Sequence, residues 1–258
     1  MLSKLIKHEF KATARYFTLI FLVALILTPV TKIIVSLDIY KGFLQVIPTF
    51  FIMAYVFSLI GIAIVSAVVI IIRFYQNLIS SEGYLMNTLP VTSSQLIISK
   101  VVAAFTWAVV SIVFIIASLF FFAYFPELNN SDKNFDWMFQ IQNDFGKLGI
   151  TFIIQFVILA IIGILSNILY IYVSIAIGQM ISRNKIIGAI AAAIVINIIT
   201  QIFSALFLIP IVFLGINVND PSIIVQWIFP MSIAATAIMT VIYYLVTVYI
   251  MKKKLNLD

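Results

Sequence analysis

The sequence predicts an all-α membrane fold of six spanning helices, and two observations carry that prediction. Of its 258 residues 64% are hydrophobic and only 9% charged, whereas soluble domains carry about a quarter charged residues. A soluble fold would have too little polar surface to cover so large an apolar interior. Long uncharged runs also recur, each matching the ~20 apolar residues that cross a bilayer. In hydrocarbon the backbone must satisfy its own hydrogen bonds, so runs of this length are helices. Barrel strands would be about half as long and would alternate polar with apolar residues.

Spans are expected at residues 17–37, 46–72, 98–125, 149–178, 186–209 and 230–251 of a single transmembrane domain, 1–258. The first apolar run exceeds a signal-peptide core and no small-residue cleavage pattern follows it, so it reads as a retained span. Ahead of it, Lys4, His8, Lys11 and Arg15 recur at helical spacing, with Leu2, Leu5, Ile6 and Phe10 on the other side. Residues 1–16 are therefore expected to form a basic amphipathic helix in the headgroup layer. An ordinary basic flank before the first span would give a similar pattern.

Positive charge predicts the orientation. Lys4, Lys7, Lys11, Arg15, Arg73, Lys100, Arg183, Lys185, Lys252, Lys253 and Lys254 fall on the side of the termini, and Lys32, Lys41, Lys133 and Lys147 on the other. Both termini are accordingly expected in the cytoplasm. The net charge of +6 then belongs to a cytoplasmic membrane face, not to a nucleic-acid surface. Residues 126–147, with Glu127, Asp132, Asp136 and Asp144, form the expected exterior loop. Between the last two spans, Pro210 and Pro230 bracket two short apolar pieces split by Asn217–Pro221. Each piece is too short to span, and Asn-Asp-Pro is a turn signal. The segment 210–230 is expected to dip into the outer leaflet and return, unless its neighbours are simply long, tilted spans.

The inventory for catalysis is sparse. Cysteine is absent, which excludes disulfides, thiolate metal sites and cysteine nucleophiles. The single histidine, His8, sits on the basic N-terminal face. Neither metal-ligand spacing, nor a carboxylate pair within a span, nor the P-loop pattern occurs. The chain reads as a non-enzyme with no cofactor of its own. Lys32, Arg73 and Lys100 fall near span ends, where they are expected to snorkel towards the headgroups. Asn197, Gln201 and Ser204 share one face of the fifth span, while Gln155, Asn167 and Tyr170 punctuate the fourth. These residues either line a pathway or bond neighbouring helices, each such bond contributing ~0.6 kcal/mol. Small-residue stripes at Ala104, Ala108, Ser111 and Ser118, and at Gly188, Ala189, Ala192 and Ala193, suit close helix approach, with the partner helix left open.

The crossing from Arg73 to Lys100 is the most informative segment. Pro90 interrupts helix, and Thr92 with Gln95 makes a capping box that restarts it. A short amphipathic helix presenting Tyr84, Leu85 and Leu89 fits in between. Ser81-Glu82-Gly83-Tyr84-Leu85, Thr88-Leu89-Pro90-Val91 and Lys100, with the N-terminal Leu5-Ile6-Lys7-His8-Glu9-Phe10-Lys11, resemble the corresponding segments of bacterial permease subunits of type-2 ATP-binding-cassette (ABC) exporters. Ser81 stands where many such permeases carry an acidic residue. The resemblance implies that 73–100 is a coupling loop, with Glu82, Gly83, Tyr84, Leu85, Leu89 and Pro90 at the interface with a cytosolic ABC ATPase. It further implies a second permease subunit, identical or not, in the bacterial inner membrane. ATP and Mg would be held on the ATPase, and a peptide, lipid or drug would be exported. An autonomous secondary transporter or channel, or a non-transport membrane assembly subunit, is the alternative that composition also permits.

The charge distribution generates a direct topology test. Cysteines introduced singly at Asn130, Asn184 and Asn256 are the only thiols in their chains. An impermeant thiol reagent should label only position 130 in intact cells, and labelling at 184 or 256 would overturn the orientation.

Overall fold

The computed structural model describes residues 2–37, 42–78, 92–124, 136–181, 184–213 and 223–253. Six helices account for nearly all of them: α1 (Leu2–Ser36), α2 (Val46–Leu78), α3 (Ser93–Tyr124), α4 (Asp136–Gly178), α5 (Lys185–Phe213) and α6 (Phe229–Lys253). A 3-10 turn, Gly42–Gln45, leads into α2, and a π turn, Ile224–Ile228, leads into α6. Among the described residues there is no strand, and six helices are long and apolar enough to cross a membrane. The chain is a multi-pass helical membrane protein.

Helices so rich in isoleucine, valine and phenylalanine persist because hydrocarbon offers the backbone no other partner. Their hydroxyls are satisfied in the same way. Thr28, Ser66, Ser174, Thr200 and Thr247 each donate to the carbonyl four residues earlier. The expected capping box opens α3: Thr92 N–H donates to Gln95 Oε1 at 3.2 Å, and Gln95 N–H to Thr92 Oγ1 at 3.3 Å.

Two three-helix groups make up the bundle. In one, α1 packs extensively on α2 and α3; in the other, α4 packs on α6 and α5. The groups meet where α3 and α2 touch α4 and where α3 touches α6. The best-buried core lies in that seam, with Phe74, Leu96, Ile97, Tyr172 and Val173 at 0–2% exposure. The Phe74 and Tyr172 rings stack across it at 3.9 Å. Phe74 lies near the end of α2, Leu96 in the first turn of α3, and Tyr172 and the buried Met251 near the ends of α4 and α6. This cluster therefore sits towards the end of the bundle where α2 ends and α3 begins.

Three local expectations are revised. Residues 2–16 are not set apart from the first span, because Leu2–Ser36 is one helix of 35 residues, about 52 Å long. The hydrocarbon layer is ~30 Å thick, so the basic stretch is the projecting part of α1. Lys4, Lys7, His8, Lys11 and Arg15 are exposed on it, as the periodicity predicts. Second, the exterior loop 126–147 is helical over its last twelve residues, which belong to α4. Met138, Ile141, Phe145 and Leu148 recur there in the sequence at helical spacing. Gly149, with φ 75° and ψ 168°, breaks this piece from the spanning part, in a conformation that suits glycine.

Third, neither described part of segment 210–230 is a separate half-helix. Ile211–Phe213 continue α5 past Pro210, and Ile223–Ile228 run directly into α6. The neighbouring spans are long, and residues 214–222 lie outside the described residues. Pro230 lacks an N–H, and its ring crowds the carbonyl four residues earlier. That residue, Gln226, lies within the π turn, a register that already departs from the α ladder.

Both small-residue stripes find their partners within this chain. Ser111 bonds Ser66 of α2 at 2.9 Å, while Ser118 bonds Thr28 of α1 at 2.9 Å and Tyr55 of α2 at 3.0 Å. On α5, Gly188 and Ala189 meet Gly178, where a Cβ would lie 2.4 Å from the Ala189 nitrogen. Gly178→Ala should therefore lower the thermal midpoint of the detergent-solubilised protein, by about 1–3 kcal/mol of stability. Gly163→Ala, whose Cβ would meet nothing within 4 Å, should leave the midpoint unchanged or raise it. Equal midpoints for the two variants would contradict the close approach.

Candidate functional site

The first polar centre is built on α1. Glu9, Thr13 and Phe17 lie four residues apart, so they form one stripe facing into the bundle, at 5%, 5% and 0% exposure. Lys100 of α3 meets this stripe, its Nζ 2.6 Å from Glu9 Oε1, with both side chains withdrawn from the surface. Thr13 donates to the Glu9 carbonyl at 2.8 Å and accepts from Trp107 Nε1 at 2.7 Å. The Trp107 indole lies flat on Phe17 at 4.3 Å. Arg73 of α2 donates to the Ala12 carbonyl at 2.8 Å. Three helices thus converge on one charged cluster beside Tyr172, around a residual space of only about 20 Å³. Packed so tightly, the cluster is a joint and not a ligand cavity.

This arrangement corrects the expected snorkelling. Lys100 turns inward to a carboxylate, and Lys32, at 9% exposure, lies 5.2 Å from the Phe122 ring centroid as a cation–π pair. A charge near a span end goes to the headgroups only when no better partner is within reach. Glu9 and the Phe122 ring are such partners. The missed signal was the apolar-side position of Glu9, in register with Thr13 and Phe17 within a basic string.

The second polar centre lies between α4, α5 and α6. Asn167, Ser166 and Tyr170 of α4, Asn197 and Thr200 of α5, and Thr236 and Tyr243 of α6 line a cleft of about 200 Å³ with Gly163. Tyr170 donates to the Ala193 carbonyl at 2.7 Å, and the hydroxyls of Thr200 and Tyr243 bond each other. Asn167 donates to the Gly163 carbonyl at 2.9 Å. Of the six polar span residues singled out in the sequence, the cleft brings together Asn167, Tyr170 and Asn197. Gln201 caps Asn197 at 2.6 Å from the next turn of α5. Ser204 is exposed further along α5, and Gln155 stands apart on α4, its buried Oε1 without a hydrogen-bond partner among the described residues. Thr200, Thr236 and Tyr243 complete the cleft; isolated hydroxyls in apolar helices carry no sequence signal of where they meet. The coupling-loop residues Glu82, Gly83, Tyr84, Leu85, Leu89 and Pro90 lie outside the described residues.

The buried ion pair gives a quantitative test. Removing one partner strands the other charge, at a cost of about 3–5 kcal/mol, whereas replacing both with apolar residues is often nearly neutral. Glu9→Leu and Lys100→Met should each lower the unfolding midpoint strongly, and the double variant should recover most of the loss. Additive losses would show that the two charges are not coupled.

Comparison with known proteins finds no matching family model, no matching curated protein and no matching solved structure.

Proposed function

We propose that the chain is the permease subunit of an ATP-driven ABC exporter in a bacterial inner membrane, with both termini cytoplasmic. It works with a second permease, identical or not, and a cytosolic ATPase that binds ATP and Mg. The chain itself performs no catalysis in this reading, and its cargo is hydrophobic or amphipathic. The N-terminal and loop segments that resemble such permeases support the proposal, as does the six-span architecture.

One observation carries the mechanism: the helix leaving the loop 79–91 is tied to two other helices within two turns. Ser94 Oγ bonds Tyr244 Oη of α6 at 2.5 Å, and Lys100 holds Glu9 of α1. A push on the loop therefore moves the start of α3 together with α1 and α6. Because α6 packs on α4 and helps line the polar cleft, the displacement reaches Asn167, Asn197 and Thr236. These amides and hydroxyls suit the polar portion of an amphipathic cargo.

The buried Glu9–Lys100 pair also favours a second reading, an autonomous carrier, since an enclosed ionisable pair at the end of a membrane bundle can serve ion coupling. Flux that persists without an ATPase and collapses with the proton gradient would select that reading. Under the exporter proposal, Tyr84→Ala and Leu85→Ala should lower the amount of ATPase bound per inserted permease. Losing a buried interface anchor costs ~2 kcal/mol or more, roughly thirty-fold in affinity. Glu82→Ala should act more mildly, because an exposed ion pair contributes only ~0–1 kcal/mol. An unchanged ratio of ATPase to inserted permease in all three variants would overturn the coupling assignment.

A further inference from the structure

A lateral groove of about 680 Å³ runs between α1 and α2. The two helices are antiparallel there: Arg73 of α2 reaches the Ala12 carbonyl, and Thr31 of α1 reaches the Phe51 carbonyl at 3.3 Å. Leu19, Ile20 and Val23 form one wall, and Phe57, Gly61 and Val65 the other. The walls come together at Gly61, where a Cβ would lie 3.4 Å from Ile20 Cδ1. Ser58, also in the lining, donates to the Tyr55 carbonyl at 2.7 Å, so its hydroxyl makes no polar demand on an occupant. Leu19 and Phe57 are 68% and 69% exposed; the groove opens to the side of the bundle, where lipid lies. From Arg15 to Val23 it follows α1 for about 12 Å.

One end of the groove is cationic. Arg15 and Tyr16 complete the lining there, and the exposed Arg15 guanidinium has no hydrogen-bond or ion-pair partner among the described residues. Lys4, His8 and Lys11 continue its exposed basic face along α1. Glu9, the acid of that stretch, is turned inward to Lys100 and leaves the face uniformly basic. About twenty helical residues cross the ~30 Å hydrocarbon layer, so a span that ends near Ser36 begins close to Phe17. Arg15 and Tyr16 therefore stand at headgroup level, where tyrosine is enriched. We infer that the groove holds an acyl chain of an anionic phospholipid, with the headgroup phosphate on Arg15. The guanidinium presents a planar fork of donors that fits a phosphate. A zwitterionic headgroup brings its own ammonium against the basic face, so charge selects the anionic lipid. The volume falls within the ~300–1,000 Å³ of small-molecule sites. The site belongs to the folded chain in its membrane and does not depend on the exporter reading.

The test uses full-length protein in phosphatidylcholine nanodiscs containing a trace of phosphatidylglycerol with a diazirine in its acyl chain, cross-linked by light and mapped by mass spectrometry. Cross-links should concentrate on 15–23 and 57–65. Arg15→Gln should reduce them roughly fivefold, the ratio that corresponds to one basic side chain at an anionic headgroup, while Arg15→Lys retains most of them. Lys4 lies about 16 Å along α1 from Arg15, beyond the ~8 Å screening length, so Lys4→Gln should leave labelling unchanged. Val23→Phe, which fills the far end of the groove, should reduce labelling with Arg15 intact. Size-exclusion behaviour and the unfolding midpoint identify a variant that fails to fold. Arg15→Gln, on an exposed side chain, keeps the test decisive if Val23→Phe does. Equal labelling by a matching phosphatidylcholine probe, labelling spread evenly over all six helices, equal losses in Lys4→Gln and Arg15→Gln, or labelling indifferent to Arg15→Gln would each overturn the site.

Discussion

A carboxylate and an ammonium 2.6 Å apart, both enclosed by the bundle, set the arrangement of the first three helices. In lipid there is little hydrophobic drive to bring helices together, since the tails are as apolar as the side chains. Direction must come from polar bonds and close fit. Glu9 and Lys100 supply the strongest such bond, and Thr13, Trp107 and the Arg73–Ala12 bond orient around it. At the opposite end of the same group the neutral hydroxyls of Thr28, Ser118 and Tyr55 bond one another, and Lys32 lies over the Phe122 ring. The three helices are thus joined by an ion pair at one end and by hydroxyl bonds and a cation–π contact at the other. An alternating-access motion would need that asymmetry: one end that transmits and one that yields.

Much of this could be read from the sequence, and the reasons are physical. Spans were legible because the bilayer imposes a length and forbids unpaired backbone, so the fourth span begins at the expected Gly149 and the restart of helix at Thr92 follows from its capping chemistry. Prolines misled because their meaning depends on register. Pro210 and Pro230 read as boundaries, yet one is carried within α5 and the other follows a π turn. Glu9 was hidden for a different reason. Its partner is 91 residues away, and no local periodicity reports which helix will face which.

The polar cleft was half legible. Asn167 and Asn197 stand out in apolar helices, and three-dimensional packing brought them to one place. Thr200, Thr236 and Tyr243 joined them from positions that look like ordinary helix hydroxyls. Asn167, Asn197 and Gln201 remain exposed on the side of a single chain. Partnering with each other, as Gln201 does with Asn197, lowers the cost of meeting hydrocarbon without removing it. In the proposed transporter a second permease chain would cover that face, turning a surface defect of the isolated subunit into an interior lining.

The π turn ahead of Pro230 has a consequence for phase. An α-helix advances about 100° per residue, so a turn that accommodates one more residue offsets the faces on its two sides by about that angle. Trp227 and its neighbours therefore do not extend the stripe that Ala235, Met239 and Tyr243 present to the core; they begin a new one. Two surfaces of different azimuth coexist along one continuous helical stretch, and a single-residue deletion there would rotate one against the other.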